Sequence, residues 1–197
     1  MKFFSSKVLT FFLAVFLMGQ VSYAATYKVD LDHTSLSFKI RHLLSNVQGQ
    51  FKEFDGKIDY DPEHPENASV EGTVKSASID TNVAPRDKHL RSADFFDVEK
   101  YPALTFKSTK FIPDGKEKGK LEGVLTIHGV EKSVVFDVDI HGVAKDPWGN
   151  VRAAFTATTK INRKDFGLNW NQAIETGQLL VGEEVNIILE VEGIQES

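Results

Sequence analysis

The sequence contains no cysteine, and this absence excludes several kinds of site at once. Without thiols the chain has no disulfide framework, no thiolate metal cluster and no cysteine nucleophile. A lipid anchor on an amino-terminal thiol is excluded as well. Packing and hydrogen bonding must therefore hold the fold together.

Motifs of the common enzyme and cofactor-binding families are also missing. The six histidines include no pair at i, i+4 spacing and no HExxH motif. No serine stands in a GxSxG elbow, and the glycines form neither a GxGxxG nor a P-loop run. We therefore expect no catalytic residues, no metal and no nucleotide cofactor.

Two local groups of polar residues could still carry chemistry. Asp30, Asp32 and His33 offer cation ligands, although an aspartate-rich turn before a strand is more often turn chemistry. His89 stands among arginines and an aspartate and is the best acid-base candidate. The alternative for His89 is an ordinary charge network on a helix face.

The chain has fewer basic than acidic residues, with 23 Lys and Arg against 28 Asp and Glu. Nucleic-acid binding needs a basic surface that displaces phosphate counterions, so an acidic balance argues against a nucleic-acid partner. It also argues against docking on anionic lipid head groups. Lys2 and Lys7 belong to the segment described next, so the remainder of the chain is more acidic still.

The first 24 residues have the features of an export signal. A positive start precedes an apolar run at 8–18, which is shorter than the about 20 residues that span a bilayer. Ser22-Tyr23-Ala24 fits a signal-peptidase site, so we predict cleavage after Ala24 and a periplasmic location. An uncleaved anchor helix would have to place Gln20 in hydrocarbon. Residues 25–197 are expected to form one domain with no membrane span.

After this signal the apolar residues recur with a period near two, which indicates half-buried strands. About eight strands are predicted, each rich in β-branched or aromatic residues. The runs cover 36–41, 47–60, 70–79, 103–112, 120–128, 134–140, 151–161 and 185–191. Asp114-Gly115 and His128-Gly129 predict hairpin turns. Pro85 starts a short helix that ends at Arg91, and 162–182 is expected to be a long loop.

Eight antiparallel strands in one domain are expected to close into a barrel, because closure removes unpaired edges. The fold class is therefore all-β. A barrel of this size either fills with side chains or holds one small ligand. Five phenylalanines on different strands fit both alternatives, as core or as the wall of a hydrocarbon site. They are Phe38, Phe51, Phe106, Phe136 and Phe155.

Several motifs in chain order closely resemble the YceI family (UPF0312). The resemblance is carried by residues 32–35, 86–96, 101–109, 123–132 and 161–167. It implies an extended, eight-stranded, lipocalin-like antiparallel barrel with a short inserted helix. It also implies export and a channel that holds a polyisoprenoid or similar long-chain amphiphile. It supplies no catalytic residues.

The resemblance and the inward alternation together predict the binding residues. The helix from Pro85 to Arg91 would lie at the barrel mouth. The predicted tunnel lining is Phe38, Ile40, Phe51, Leu90, Phe95, Phe96, Phe106, Leu125, Ile127, Phe136, Phe155 and Phe166. Arg86, His89 and Arg91 are head-group candidates, since guanidinium forks hold phosphates well. A solvated helix face is the alternative, and a neutral quinone would need no such charges.

Three functions remain open at this point. The leading one is a periplasmic carrier or store of isoprenoid lipid, with no cofactor beyond a bound polyisoprenoid or quinone. The second is a structural or stress-related interaction protein whose barrel is filled by its own side chains. The third is an enzyme, which would need His42, His89 or His128 to point inward. The composition allows a homodimer without demanding one.

Overall fold

The computed structural model of the chain describes residues 24–173 and 179–196. The predicted signal segment therefore lies, except for Ala24, outside the described residues. The strands are β1 (Ala25–Val29), β2 (Ser35–His42), β3 (Ser45–Phe51), β4 (Phe54–Tyr60), β5 (Ser69–Lys75), β6 (Ile79–Asp80), β7 (Ala103–Asp114), β8 (Lys118–Ile127), β9 (Val130–Lys145), β10 (Val151–Asn162) and β11 (Val181–Gln195). Helix α1 spans Ala84–Arg91, and short 3-10 helices span Pro65–Asn67, Ser76–Ser78 and Arg163–Phe166.

Eight of these strands form a closed antiparallel ring, which confirms the predicted barrel. Its order is β1, β4, β5, β7, β8, β9, β10 and β11, and β1 pairs with β11 to close it. The remaining strands β2, β3 and β6 continue the sheet from β11. Because β11 is long, its Val181 end pairs with β2 while its Gln195 end pairs with β1.

Two predicted strands are each broken in the structure. The run at 47–60 divides into β3 and β4 because Lys52 and Glu53 are both exposed, which breaks the two-residue alternation. The run at 70–79 is interrupted by the 3-10 helix at Ser76, whose buried hydroxyl donates to the carbonyl of Tyr101. Strand β1 was not predicted.

The turns and the helix follow the sequence chemistry. His128 and Gly129 both have positive φ, at 52° and 74°, and join β8 to β9 as the predicted hairpin. Gly115, with φ of 75°, lies between β7 and β8. Helix α1 has Pro85 in its first turn, where proline costs no hydrogen bond. None of the helices in the described ranges has the length and hydrophobicity to cross a bilayer.

The two ends of the barrel differ in what covers them. At the end where β10 finishes, α1 meets the segment after β10, since His89 contacts the Trp170 ring edge-on at 4.8 Å between centroids. We call this the α1 end. Buried aromatic residues fill the opposite end, where Tyr60 at the end of β4 contacts Phe155 edge-on at 5.1 Å. The predicted loop at 162–182 contains the 3-10 helix at Arg163–Phe166, and β11 begins inside its last part.

Candidate functional site

The barrel encloses a cavity of about 600 Å³ and is not filled by its own side chains. Apolar residues from the strands of the ring, from β2 and β3 and from α1 make up most of its wall. The volume lies within the range of about 300 to 1,000 Å³ that is usual for sites that bury a small organic ligand. This answers the question that the strand pattern left open.

Nearly all of the predicted lining residues face this cavity. The structure places there Phe38, Ile40, Phe51, Leu90, Phe95, Phe96, Phe106, Leu125, Ile127, Phe136 and Phe155. Phe166 is not among them, because it lies on the 3-10 helix after β10 and packs into a buried cluster with Leu104 and Leu168. Whether these residues bind a ligand stays a prediction.

Two glycines of β8 lie next to rings of the cavity wall, those of Phe106 and Phe111. A Cβ built on Gly123 would stand 2.4 Å from Cζ of Phe106, and one on Gly119 would stand 2.2 Å from Cζ of Phe111. Real Cβ atoms do not approach so closely. The glycines therefore leave room that the rings occupy, and the lumen beside them stays open.

Strand β11 supplies a row of wall residues that the predicted site did not include. Val185, Ile187, Leu189 and Val191 all line the cavity. Their two-residue spacing was a usable signal, because residues i and i+2 of a strand face the same side. Trp170 also lines the cavity, and its position in a loop left no periodic signal.

Arg86 lies in the cavity wall, as predicted, but its guanidinium is partly engaged. Nε donates to Oγ1 of Thr81 at 2.7 Å, and Nη2 donates to the Thr81 carbonyl at 2.9 Å. The buried carboxylate of Asp87 accepts from the backbone N–H and the hydroxyl of the same threonine. Thr81 therefore ties α1 to the end of β6.

The other two head-group candidates differ in position. Arg91 is outside the cavity wall, where Nε donates to the carbonyl of Ala77 and Nη2 to that of Ile79. His89 is in the wall, with Nε2 2.8 Å from the Asp94 carboxylate. Arg86 and His89 thus both lie in the cavity wall, whereas Arg91 lies outside it and binds backbone carbonyls.

Sequence reasoning missed Arg163, the most deeply buried cation of the cavity wall. It is 3% exposed and follows β10 directly. Burial lowers the pKa of its guanidinium, and the charge of Glu183 partly opposes that effect. The only available signal was its place in the motif at 161–167, which gave no role.

Of the candidate cation ligands near the start of the chain, Asp30 pairs with Arg152. Nη1 of Arg152 lies 2.6 Å from Asp30 and 2.5 Å from Glu192, while its Nε lies 2.8 Å from Asp146. His33 also approaches Asp30, at 2.8 Å. The Arg152 guanidinium lowers the pKa of Asp30 from its usual 3.8 to about 2. Oδ1 of Asp30 accepts the N–H of the residue two positions on, which is turn chemistry.

The remaining histidines of the enzyme hypothesis divide between the cavity and its surroundings. His42 is in the cavity wall with His89. His128 is not, and its ring lies 4.3 Å from that of Tyr101 at the β8–β9 hairpin. The cavity wall therefore contains two of the three histidines, His42 and His89, together with Arg86 and Arg163.

Comparisons with known proteins agree over most of the chain. Residues 27–193 match the model of the YceI-like domain. Protein YceI of Escherichia coli O157:H7 is 42% identical over 191 residues, which cover 95% of this chain and 96% of that protein. The match supports the resemblance read from the motifs.

Solved structures show the same architecture. The Campylobacter jejuni YCEI protein is 34% identical and superposes with a TM-score of 0.71, covering 96% of this chain and all of that one. A domain from Saccharophagus degradans, described as a polyisoprenoid binding domain implicated in plant cell wall breakdown, has a TM-score of 0.67 over 88% of this chain and 99% of that one. At 15% identity this second likeness is one of fold.

Proposed function

Because this chain belongs to the YceI family, we propose that its barrel binds a long-chain isoprenoid or similar amphiphilic lipid in the periplasm, as a carrier or store. The observation that carries the proposal is the apolar cavity of about 600 Å³ inside the barrel. Binding rather than catalysis is the role that such a wall supports. The polyisoprenoid-binding domain of similar fold adds support for this class of ligand.

The energetics of hydrocarbon burial favour such an occupant. Each methylene that leaves water for an apolar site gains about 0.8 kcal/mol before the costs of ordering the chain. Rings from β2, β3, β7, β9 and β10 supply wall contacts along the lumen. Affinity would therefore grow with chain length, and the polar residues at the α1 end would select the head group.

Mass spectrometry tests this function on protein that is expressed as the full chain, exported to a bacterial periplasm and purified from there. The mature mass tests cleavage after Ala24, and native spectra report any bound species and the oligomeric state. Organic extraction then identifies the bound molecule. A copurifying lipid near unit occupancy is the expected result. Apoprotein that also refuses added polyprenyl lipids would contradict the proposal and favour a protein that acts through its surface.

A further inference from the structure

Arg163 is held in a fixed position at the α1 end of the cavity. The Asn162 side chain caps the 3-10 helix that Arg163 begins, by accepting the N–H of Lys164 at 2.9 Å. Nε of Arg163 donates to the Gly182 carbonyl at 2.8 Å, and Nη1 donates to the carbonyls of Leu168 and Trp170. The guanidinium is therefore pre-oriented before any ligand binds.

The other terminal nitrogen of the same guanidinium lacks a partner among residues 24–173 and 179–196. Nη2 of Arg163 is buried and makes no hydrogen bond to any residue that the structure describes. A buried donor left unsatisfied costs roughly 1–3 kcal/mol, and more when the group is charged. Such a group is an exception in folded proteins, and a ligand that accepts its hydrogen bond removes that cost.

Within the part of the chain that the structure describes, the charge of Arg163 is also without a direct counterion. Its three acceptors are neutral carbonyl oxygens, and no carboxylate of the described ranges lies within an ion-pair distance of it. Glu183 acts on Arg163 through its charge, but its carboxylate already binds Lys164 at 2.5 Å and Asn162 at 3.3 Å. An arginine does not lose its proton in a protein, so the cavity wall contains a permanent positive charge.

We propose that Arg163 recognises the head group of the bound amphiphile, and that this head group is an oxyanion, a carboxylate or a phosphate, which accepts a hydrogen bond from Nη2. This inference rests on the proposed lipid-binding function and deepens it. A charge-assisted bond to an anion is roughly twice as strong as one between neutral groups. The head then lies beside Trp170, and the tail extends towards Tyr60 and Phe155 at the opposite end.

Arg163 is better placed for this role than the arginines near α1. Nε and Nη2 of Arg86 already donate hydrogen bonds to Thr81, and Arg91 is outside the cavity wall. Lys160 on β10 provides a matched control, since it is an exposed cation near Arg163 in the chain, pairs with Glu184 and is not part of the wall.

The first test measures head-group selectivity through tryptophan fluorescence. Trp148 is 83% exposed in the β9–β10 turn, so Trp148→Phe leaves Trp170 as the only tryptophan of the chain. Delipidated protein is titrated with geranylgeranyl phosphate and with geranylgeraniol, which share one tail. We expect the phosphate to bind at least about tenfold more tightly, a difference of about 1.4 kcal/mol. Arg163→Met should remove this preference, and Lys160→Met should keep it.

The second test needs no change at Arg163, so it stands even if Arg163→Met fails to fold. Stearate carrying a nitroxide at carbon 5 should quench Trp170 more strongly than stearate carrying it at carbon 16. Equal binding of alcohol and phosphate by the parent, or stronger quenching from carbon 16, would overturn the inference and leave lipid binding intact. Binding of neither lipid would instead contradict the proposed function.

Discussion

The ring of Phe38 on β2 covers the backbone of its cross-strand partner Gly49 on β3. A Cβ on Gly49 would stand 2.4 Å from Cζ of that ring and 2.8 Å from the Thr81 methyl carbon. Phe38 in turn contacts Phe51 at 6.0 Å between centroids, and both line the cavity. Because Gly49 has no side chain, the Phe38 ring can take this position in the cavity wall.

Gly49→Ala is expected to push the Phe38 ring into the lumen. The variant should lose about 1–3 kcal/mol of unfolding free energy, as overpacked sites do, and should bind less lipid. Urea unfolding and lipid titration measure the two effects. Gly72→Ala on β5 is the control, because its Cβ meets only a backbone oxygen at 3.7 Å. Equal behaviour of the two variants would disprove this role for Gly49.

Ala157→Phe should block the lumen at the middle of β10. Ala157 lines the cavity, so the added ring occupies space that a lipid tail needs. Because Ala157 also packs against the buried core, we expect the free energy of unfolding to fall by about 1–3 kcal/mol, while lipid occupancy measured by mass spectrometry falls severalfold. Ala154→Phe places the same ring outside the cavity wall and should leave occupancy unchanged. Unaltered occupancy in Ala157→Phe would argue against a ligand in the lumen.

The Arg152 cluster should make the fold sensitive to acid. The pKa of Asp30 is about 2 in the folded protein and 3.8 by its usual value, so its contribution is complete above about pH 4 and is lost as the pH falls towards 2. Arg152 also lowers the pKa of Asp146, which acts in the same direction. Urea unfolding between pH 6 and pH 2.5 measures the effect.

Arg152→Gln is the variant that isolates this acid sensitivity. It should be less stable than the parent at pH 6, and the difference should shrink as the pH falls. Lys120→Gln, which breaks an exposed pair with Asp137, should change little at any pH. A stability difference for Arg152→Gln that is the same at both ends of the pH range would refute the explanation.

Asp87 is expected to hold α1 against the barrel. Its Oδ1 accepts the N–H of Thr81 at 2.9 Å, and it is 5% exposed. Asp87→Ala leaves that donor unsatisfied and should lower the free energy of unfolding by about 1–3 kcal/mol. Hydrogen exchange in α1 should speed up, and bound lipid should exchange faster. Lys88→Ala, on the exposed face of the same helix, should lack all three effects.

Much of the barrel could be predicted from local patterns. Alternation in β8, β9 and β10 identified the residues that face inward, because successive side chains of a strand point to opposite sides. Pro85 predicted the start of α1 correctly. The breaks in the first strands were missed, although the adjacent polar residues Lys52 and Glu53 interrupt the alternation of the first run. The second break depends on the 3-10 helix at Ser76, which hydrophobicity does not reveal. Phe166 was assigned to the wall because its 3-10 helix was read as part of a loop.

The α1 end of the barrel has contacts that could not be predicted from the sequence. By itself, the sequence determined the class of protein, the inward faces of the strands and an excess of acidic residues, because composition and a two-residue period are local properties. Only the tertiary structure decided that the lumen is open, that Arg86 and Arg91 bond to Thr81 and to backbone carbonyls, and that Arg163 keeps one donor free among the described residues. Hydrogen-bond partners are chosen in space, and the Arg163 acceptor at Gly182 lies 19 residues away along the chain.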